Sequence, residues 1–381
     1  MLAGKGRKRY GLAITFSALA LCVTAEVAAH PATGIVVDRQ GQVFFSDLET
    51  VWKLEPNGKL SVFRQGVSGR HVHELAIDSQ DNIFGADVSY QPATQKWISD
   101  VWKMTPDGKL VYLLEPTADP PPGFSIWRDQ KGNMFSIDQN NHTKTQTLLL
   151  IRTAEGQVTT FAGSAYGHAD GRTTAAKFSS VGGMAFGSDG SLYLADGTYV
   201  RKVTPDGLVS TMAANLNFRS ADDKPTLFGG SAGILAGLTV DSHGNVFVAD
   251  AGNRRLLKIE NDGKVSVVYR ADPPYFPNGV FATSSDDLYI MEVGFTVPSK
   301  WSGPRVRKIS ADGKNVLVAT VGEQEAGSFR RSVAQGVGVS VESTLQILTG
   351  RYRYLVLLFF AGLVATITLA WRRHRGQKER A

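Results

Sequence analysis

Cysteine is all but missing: the 381 residues contain one, Cys22. It lies in an apolar N-terminal run that reads as a signal peptide, so the mature chain has no disulfide and no thiol nucleophile. Stability must come from a large core instead. The body of the chain also lacks positive charge. The net charge is +6, but the first nine residues contribute +4 and the stretch from Arg351 contributes +6, leaving about −4 for residues 10–350. Surfaces that track phosphates need the opposite sign, so nucleic acid is not expected as a partner.

The basic ends have their own reading. After Arg9 comes "GLAITFSALALCVTAEVAA", of signal-core length. Val27 and Ala29, ahead of His30, offer a cleavage site, with Val23 and Ala25 as a rival. A lipoprotein would use Cys22, but Leu21 stands where a small residue is expected. Near the C-terminus, "YLVLLFFAGLVATITLAW" runs 18 residues without a charge, long enough to cross a bilayer. Tyr354 and Trp371 stand at its edges, and five cations follow it. This bias puts the C-terminus in the cytoplasm and the body outside, periplasmic or extracellular. The expected organisation is a signal peptide (1–29), one domain (30–320), a stalk (321–350), and a single transmembrane helix with a basic tail (351–381).

The domain is a repeat. Each unit has an apolar run, a turn, a second run closed by an acid, a third run, an Asx-Gly-type turn and a fourth run. "GMAFGSDGSLYLADGTYVRKVTPDG" and "GLTVDSHGNVFVADAGNRRLLKIENDG" show it most plainly. The closing acids are Asp47, Asp87, Asp138, Asp196, Asp250 and Glu292, at intervals of 40 to 58 residues. The later turns centre on Gly58, Gly108, Gly156, Gly207, Gly263 and Gly313, glycine supplying the positive φ of tight hairpins. Four short β-rich strands per unit make one propeller blade, and six units closing radially leave no exposed sheet edge to aggregate. The fold class is therefore all-β, a six-bladed β-propeller between an N-terminal signal segment and a C-terminal transmembrane helix.

The stretch "FAGSAYGHADGRTTAAKFSSVGGMAFGSDGSLYLADGTYVRKVTPDGLVSTMA" resembles the NHL repeat of the TolB-like propeller superfamily, and "VFVADAGNRRLLKIENDG" resembles that repeat's core. Blade six, "PNGVFATSSDDLYIMEVG", is similar to the strictosidine-synthase and gluconolactonase branch of six-bladed propellers. The resemblance implies a fold that hosts binders, lactonases and lyases alike. Gluconolactonase-like relatives hold a divalent metal with a glutamate, an asparagine and an aspartate. Asn278 matches the asparagine, but the other two positions fall at Thr33 and Ala236. No metal is expected on that pattern, and a divalent ion is kept only as an alternative.

Strand order puts the start of each inner strand and each closing acid on one face, called the top, and the Asx-Gly turns on the other. The top-ring positions are Thr33, His73, Phe124, Gly182, Ala236 and Asn278. Glu292 is the odd member among the acids. It is the one candidate general base, against a structural role shared with the other five. His73, His142 and His168 map to top-face segments, and His71 and His73 alternate along one strand. No HxxxH spacing joins them, so a zinc cluster is the weaker reading beside ordinary hydrogen-bonded histidines. "VSYQPATQKWISD", "QNNHTKTQT" and "VGFTVPSKWSGP" read as long top loops of blades two, three and six, and the connections 163–181 and 215–236 are long as well. Trp97 and Trp301 each follow a lysine there and suit a ligand or partner anchor, or packing on their own loop. "NHT" at Asn141 is a glycosylation sequon if the host is eukaryotic. The expected function is a membrane-anchored module binding a protein or small molecule through His73, Trp97, His168, Asn278 and Trp301. The alternative is a hydrolase or lyase of the gluconolactonase or strictosidine-synthase-like class.

Overall fold

The computed structural model describes residues 33–139, 143–223, 234–296 and 300–322. The signal segment, the chain beyond 322 with its expected membrane helix, His142 and the Asn141 sequon lie outside the described residues. No helix among the described residues is long and apolar enough to cross a membrane.

Six antiparallel sheets form, each from strands consecutive in the chain. Their innermost strands are Ile35–Val37, His71–Ile77, Trp127–Arg128, Val181–Phe186, Leu235–Val240 and Tyr275–Ala282. All six contribute residues to the wall of one central channel, so the six-bladed propeller is the observed architecture. Blade three has the shortest inner strand. "DPPPG" precedes it, and prolines without N–H cannot donate to a ladder there. The core is a set of layers between neighbouring blades. Phe135, Leu149 and Phe178 of blade three and its outgoing connection pack on Met184, Leu192 and Leu194 of blade four, and Phe247 and Leu256 of blade five pack on Val280 and Ile290 of blade six.

The outer turns show how the local sequence sets the strand order. Gly58, Gly108, Gly156, Gly207, Gly263 and Gly313 all have φ between 81° and 89°. In blades one, five and six the preceding Asx keeps ordinary φ and accepts an N–H from two residues on, from Lys59 to Asn57 (2.9 Å), from Lys264 to Asp262 (2.9 Å) and from Lys314 to Asp312 (3.1 Å).

The long loops of blades two and six are strand instead. Blade two runs Ile83–Gln91 and Lys96–Met104, with a turn over residues 92–95 that ends at Gln95 (φ 54°). Blade six runs Leu288–Thr296 and Lys300–Ile309. Aromatic and aliphatic residues face one another across the blade-two hairpin (Tyr90 opposite Trp97, Ser89 opposite Ile98), and such cross-strand pairs extend a ladder that turn-like composition had hidden. The 163–181 connection supplies a short extra strand, Gly171–Arg172, on the outer edge of blade four.

Candidate functional site in the central channel

The closing acids organise the top face. Asp196 accepts from the backbone N–H of Ser179 (2.7 Å) and Ser180 (3.1 Å), from the Ser179 hydroxyl (2.6 Å), and from Arg201 (2.9 Å). Asp250 accepts from the Asn253 backbone and side chain and from Arg255 Nε (2.8 Å). Asp47 accepts from Glu49 N, Thr50 N and Trp52 Nε1, and Asp87 holds the Arg64 guanidinium. Burial pushes the Asp47 and Asp250 carboxyls above the usual aspartate range, against the hydrogen bonds that pull them down. Asp138 departs from the set: it is exposed.

Glu292 is fully buried. Its Oε1 accepts from the Tyr269 hydroxyl (2.7 Å), and its Oε2 from Arg305 Nε (2.7 Å) and Arg307 Nε (3.5 Å). Burial and the neighbouring carboxylate push the Tyr269 hydroxyl far up. Both oxygens of Glu292 are thus engaged, as those of Asp196 and Asp250 are.

Four of the six top-ring positions, His73, Gly182, Ala236 and Asn278, coincide with one-residue β-bulges. The pairing slips between Val72 and Leu75, Val181 and Gly183, Leu235 and Leu238, and Pro277 and Gly279. Each closing acid there pairs with the residue just before the bulge. The residue after the ring position is glycine in four blades. A Cβ on Gly183 would meet Ala236 O at 2.7 Å, one on Gly237 would meet Asn278 O at 2.9 Å, and one on Gly34 would meet Leu75 N at 2.8 Å; on Gly279 it would collide with Thr33 O. These glycines let neighbouring inner strands touch backbone to backbone, which narrows the channel at its top.

Blades two and three break this collar, with Glu74 and Ser125 at the glycine positions. Glu74 faces a channel of about 800 Å³ lined by Ile35, Leu75, Ile126, Met184, Leu238 and Val280 among others. The Trp127 indole N–H donates to Glu74 Oε2 at 2.9 Å, and no other hydrogen bond reaches the carboxyl among the described residues. Burial raises its pKa above the ordinary glutamate value, more than the indole lowers it. A carboxyl so placed keeps its proton to higher pH than a surface glutamate and can donate it or a hydrogen bond. Sequence reasoning missed Glu74, although the glycine-to-glutamate exchange at an aligned position was its visible signal.

The sequence candidates are dispersed. His73 stands at the bulge of blade two, its carbonyl accepting from Thr33 N (2.8 Å) and Gly34 N (3.0 Å). The His71 and His73 rings lie 5.9 Å apart on one side of their strand. Burial lowers the His71 pKa. His168 belongs to the outer edge of blade four, stacked on Tyr199 at 3.9 Å and 3.0 Å from the Thr211 hydroxyl. Asn278 is buried at the bulge of blade six. Trp97 is 62% exposed at the end of the blade-two hairpin, its ring 5.3 Å from that of Tyr90. Trp301 pairs with Phe295 in the blade-six ladder, and its side chain lies outside the described residues.

Among the described residues, Asp241, His243 and Asp286 form the one group of potential metal ligands, within 4.8 Å of one another on the opposite face. Asp241 already accepts three N–H bonds within its own turn, from His243 and Asn245. That set reads first as an Asx turn beside a pair of exposed His243 and half-buried Asp286.

The described sheets make the chain a member of the six-bladed propeller class. Among solved structures it is similar to a streptogramin B lyase (16% identity, 78% of this chain and 85% of that one, TM-score 0.46). It is also similar to a gluconolactonase from Xanthomonas campestris (14%, 71% and 86%, 0.43) and to the calcium-binding protein regucalcin from Agrobacterium tumefaciens (15%, 68% and 82%, 0.44). No protein-family model and no curated protein matches the chain. Activity does not follow from likeness at this level.

Proposed function

We propose that the protein is an NHL-type propeller held outside the cytoplasm by a C-terminal membrane helix, and that it binds a partner through its top face. The observation that carries this reading is the blade-two hairpin. It presents Trp97, 62% exposed, and Tyr90, 37% exposed, as adjacent rings. Aromatic pairs on a rigid projecting ladder offer large contact area at low entropic cost, and partners use such residues as anchors. The acidic body remains unsuited to nucleic acid. A photo-crosslinking residue at position 97 of the full-length, membrane-inserted chain tests the reading, with position 57 on the opposite face as the control. Adducts at 97 that are lost in the Tyr90→Ala background support it; equal adducts at both positions, or none, overturn it.

A hydrolase or lyase of the gluconolactonase or strictosidine-synthase-like class is the second reading, and Glu74 is what favours it. On this reading the acid–base group is Glu74 rather than Glu292. Turnover of a lactone panel that Glu74→Gln abolishes and Glu292→Gln, if folded, retains would support it.

A further inference from the structure

Arg128 closes the two-residue inner strand of blade three and lines the same channel as Glu74. No hydrogen bond or ion pair reaches its guanidinium among the described residues, and its Nε is buried without a partner. Its one neighbour of note is the Phe84 ring, 5.8 Å below the charge. Burial is the sole cause acting on it, and lowers its pKa. A guanidinium cannot escape by losing its proton, so a half-buried one with no hydrogen-bonded acid among the described residues carries an uncompensated charge.

The other charges at this end are already satisfied. Asp78 and Asp129 line the lower part of the channel, and each accepts three N–H bonds inside its own turn, from Gln80 and Asn82 and from Lys131 and Asn133. Ser79, Gln80 and Gln130, all exposed, also belong to the lining, so the channel opens on the face where the inner strands end. A molecule entering there meets Arg128 first. Beyond it stand the apolar side chains, Trp127 and finally Glu74 at the level of the glycine collar.

We infer that the channel is a binding site for a small organic carboxylate with an apolar body, its carboxylate on Arg128 and its far end toward Glu74 and Trp127. A charge-assisted, bidentate pair is the strong form of carboxylate recognition by arginine. A cavity of about 800 Å³ falls within the range of small-molecule sites. This site is separate from the top-face hairpin, so either proposal can fail without the other.

The test is calorimetric titration of the full-length chain in lipid nanodiscs with 4-phenylbutyrate and octanoate, and with their neutral amides. Empty nanodiscs serve as the blank. Wild type is expected to favour each acid over its amide by tenfold or more. Arg128→Met keeps the apolar stem over Phe84 and is expected to erase that preference while unfolding no earlier than wild type. Arg128→Lys should retain part of the preference. Equal binding of acid and amide by wild type, an unchanged preference in Arg128→Met, no saturable binding of either acid at millimolar concentration, or early unfolding of Arg128→Met would each overturn the inference.

Discussion

Gln139 and Val181 exchange two hydrogen bonds across the seam between blades three and four. Val181 N–H donates to Gln139 Oε1 at 2.9 Å, and Gln139 Nε2 donates to Val181 O at 3.0 Å. The side chain thus completes both backbone groups of the residue that, in blade four, pairs with Asp196. Its neighbour Asp138, the acid in the repeat position, points to solvent. Gln139→Ala should therefore cost about 1–3 kcal/mol, since it leaves buried backbone groups unpaired, and Asp138→Ala under about 0.5 kcal/mol. Urea unfolding of the two variants decides between them; equal costs would show that the seam does not depend on Gln139.

Asp196 and Arg201 are both fully buried, with Arg201 also bonded to Asp170 and to the carbonyls of Ala169 and Lys177. Removing the acid alone leaves a buried guanidinium facing fewer acceptors. Asp196→Ala should cost about 3–5 kcal/mol by denaturant unfolding. A loss under about 1 kcal/mol would mean that water replaces the carboxylate.

The glycine collar predicts a contrast between two kinds of glycine. Gly279→Ala drives a Cβ into the Thr33 carbonyl across the closing seam, and should cost about 1–3 kcal/mol or more through overpacking. Gly58 has open space around it but a φ of 87°, so Gly58→Ala should cost about 1 kcal/mol from backbone strain alone. Thermal unfolding that ranks the two the other way round would contradict the close packing of blades six and one.

Glu74 sets a pH dependence whose sign is fixed by the direction of its shift. Its folded pKa is raised above the ordinary value of 4.5, so the folded state holds the proton more tightly than the unfolded chain. That contribution to stability is fully present below 4.5 and is lost as pH rises through the folded pKa. Glu74→Gln retains an acceptor for the Trp127 indole but cannot ionise. Its melting temperature should gain on wild type as pH rises from 4 toward 8. Parallel pH curves for the two proteins would show that Glu74 ionises as it would in water.

The blades were legible because their turn chemistry repeats: glycine in every outer turn and an acid at the end of every second strand. The ring positions were legible by register, and four of the six proved to be bulges. What stayed hidden depends on contacts remote in sequence. Trp127 reaches Glu74 across 53 residues, and nothing in "RHVHELAID" distinguishes a channel-facing glutamate from one on a solvated strand face. Asp138 shows the converse, since matching the repeat did not bring burial. The blade-two hairpin reads as a loop because "QPATQ" has turn composition, while the ladder continues through Tyr90 and Trp97 to Gln91 and Lys96.

Every described sheet is built from its own consecutive strands, so the last strand, Asn315–Thr320, hangs on the outer edge of blade six and is not shared with blade one. Tension applied to the chain beyond Gly322 therefore acts on that edge strand. It would unzip there one hydrogen-bond pair at a time, while the inner strands of blades six and one stayed in register. A pull applied at this point falls first on the outer edge strand of blade six rather than on the inner strand that lines the channel.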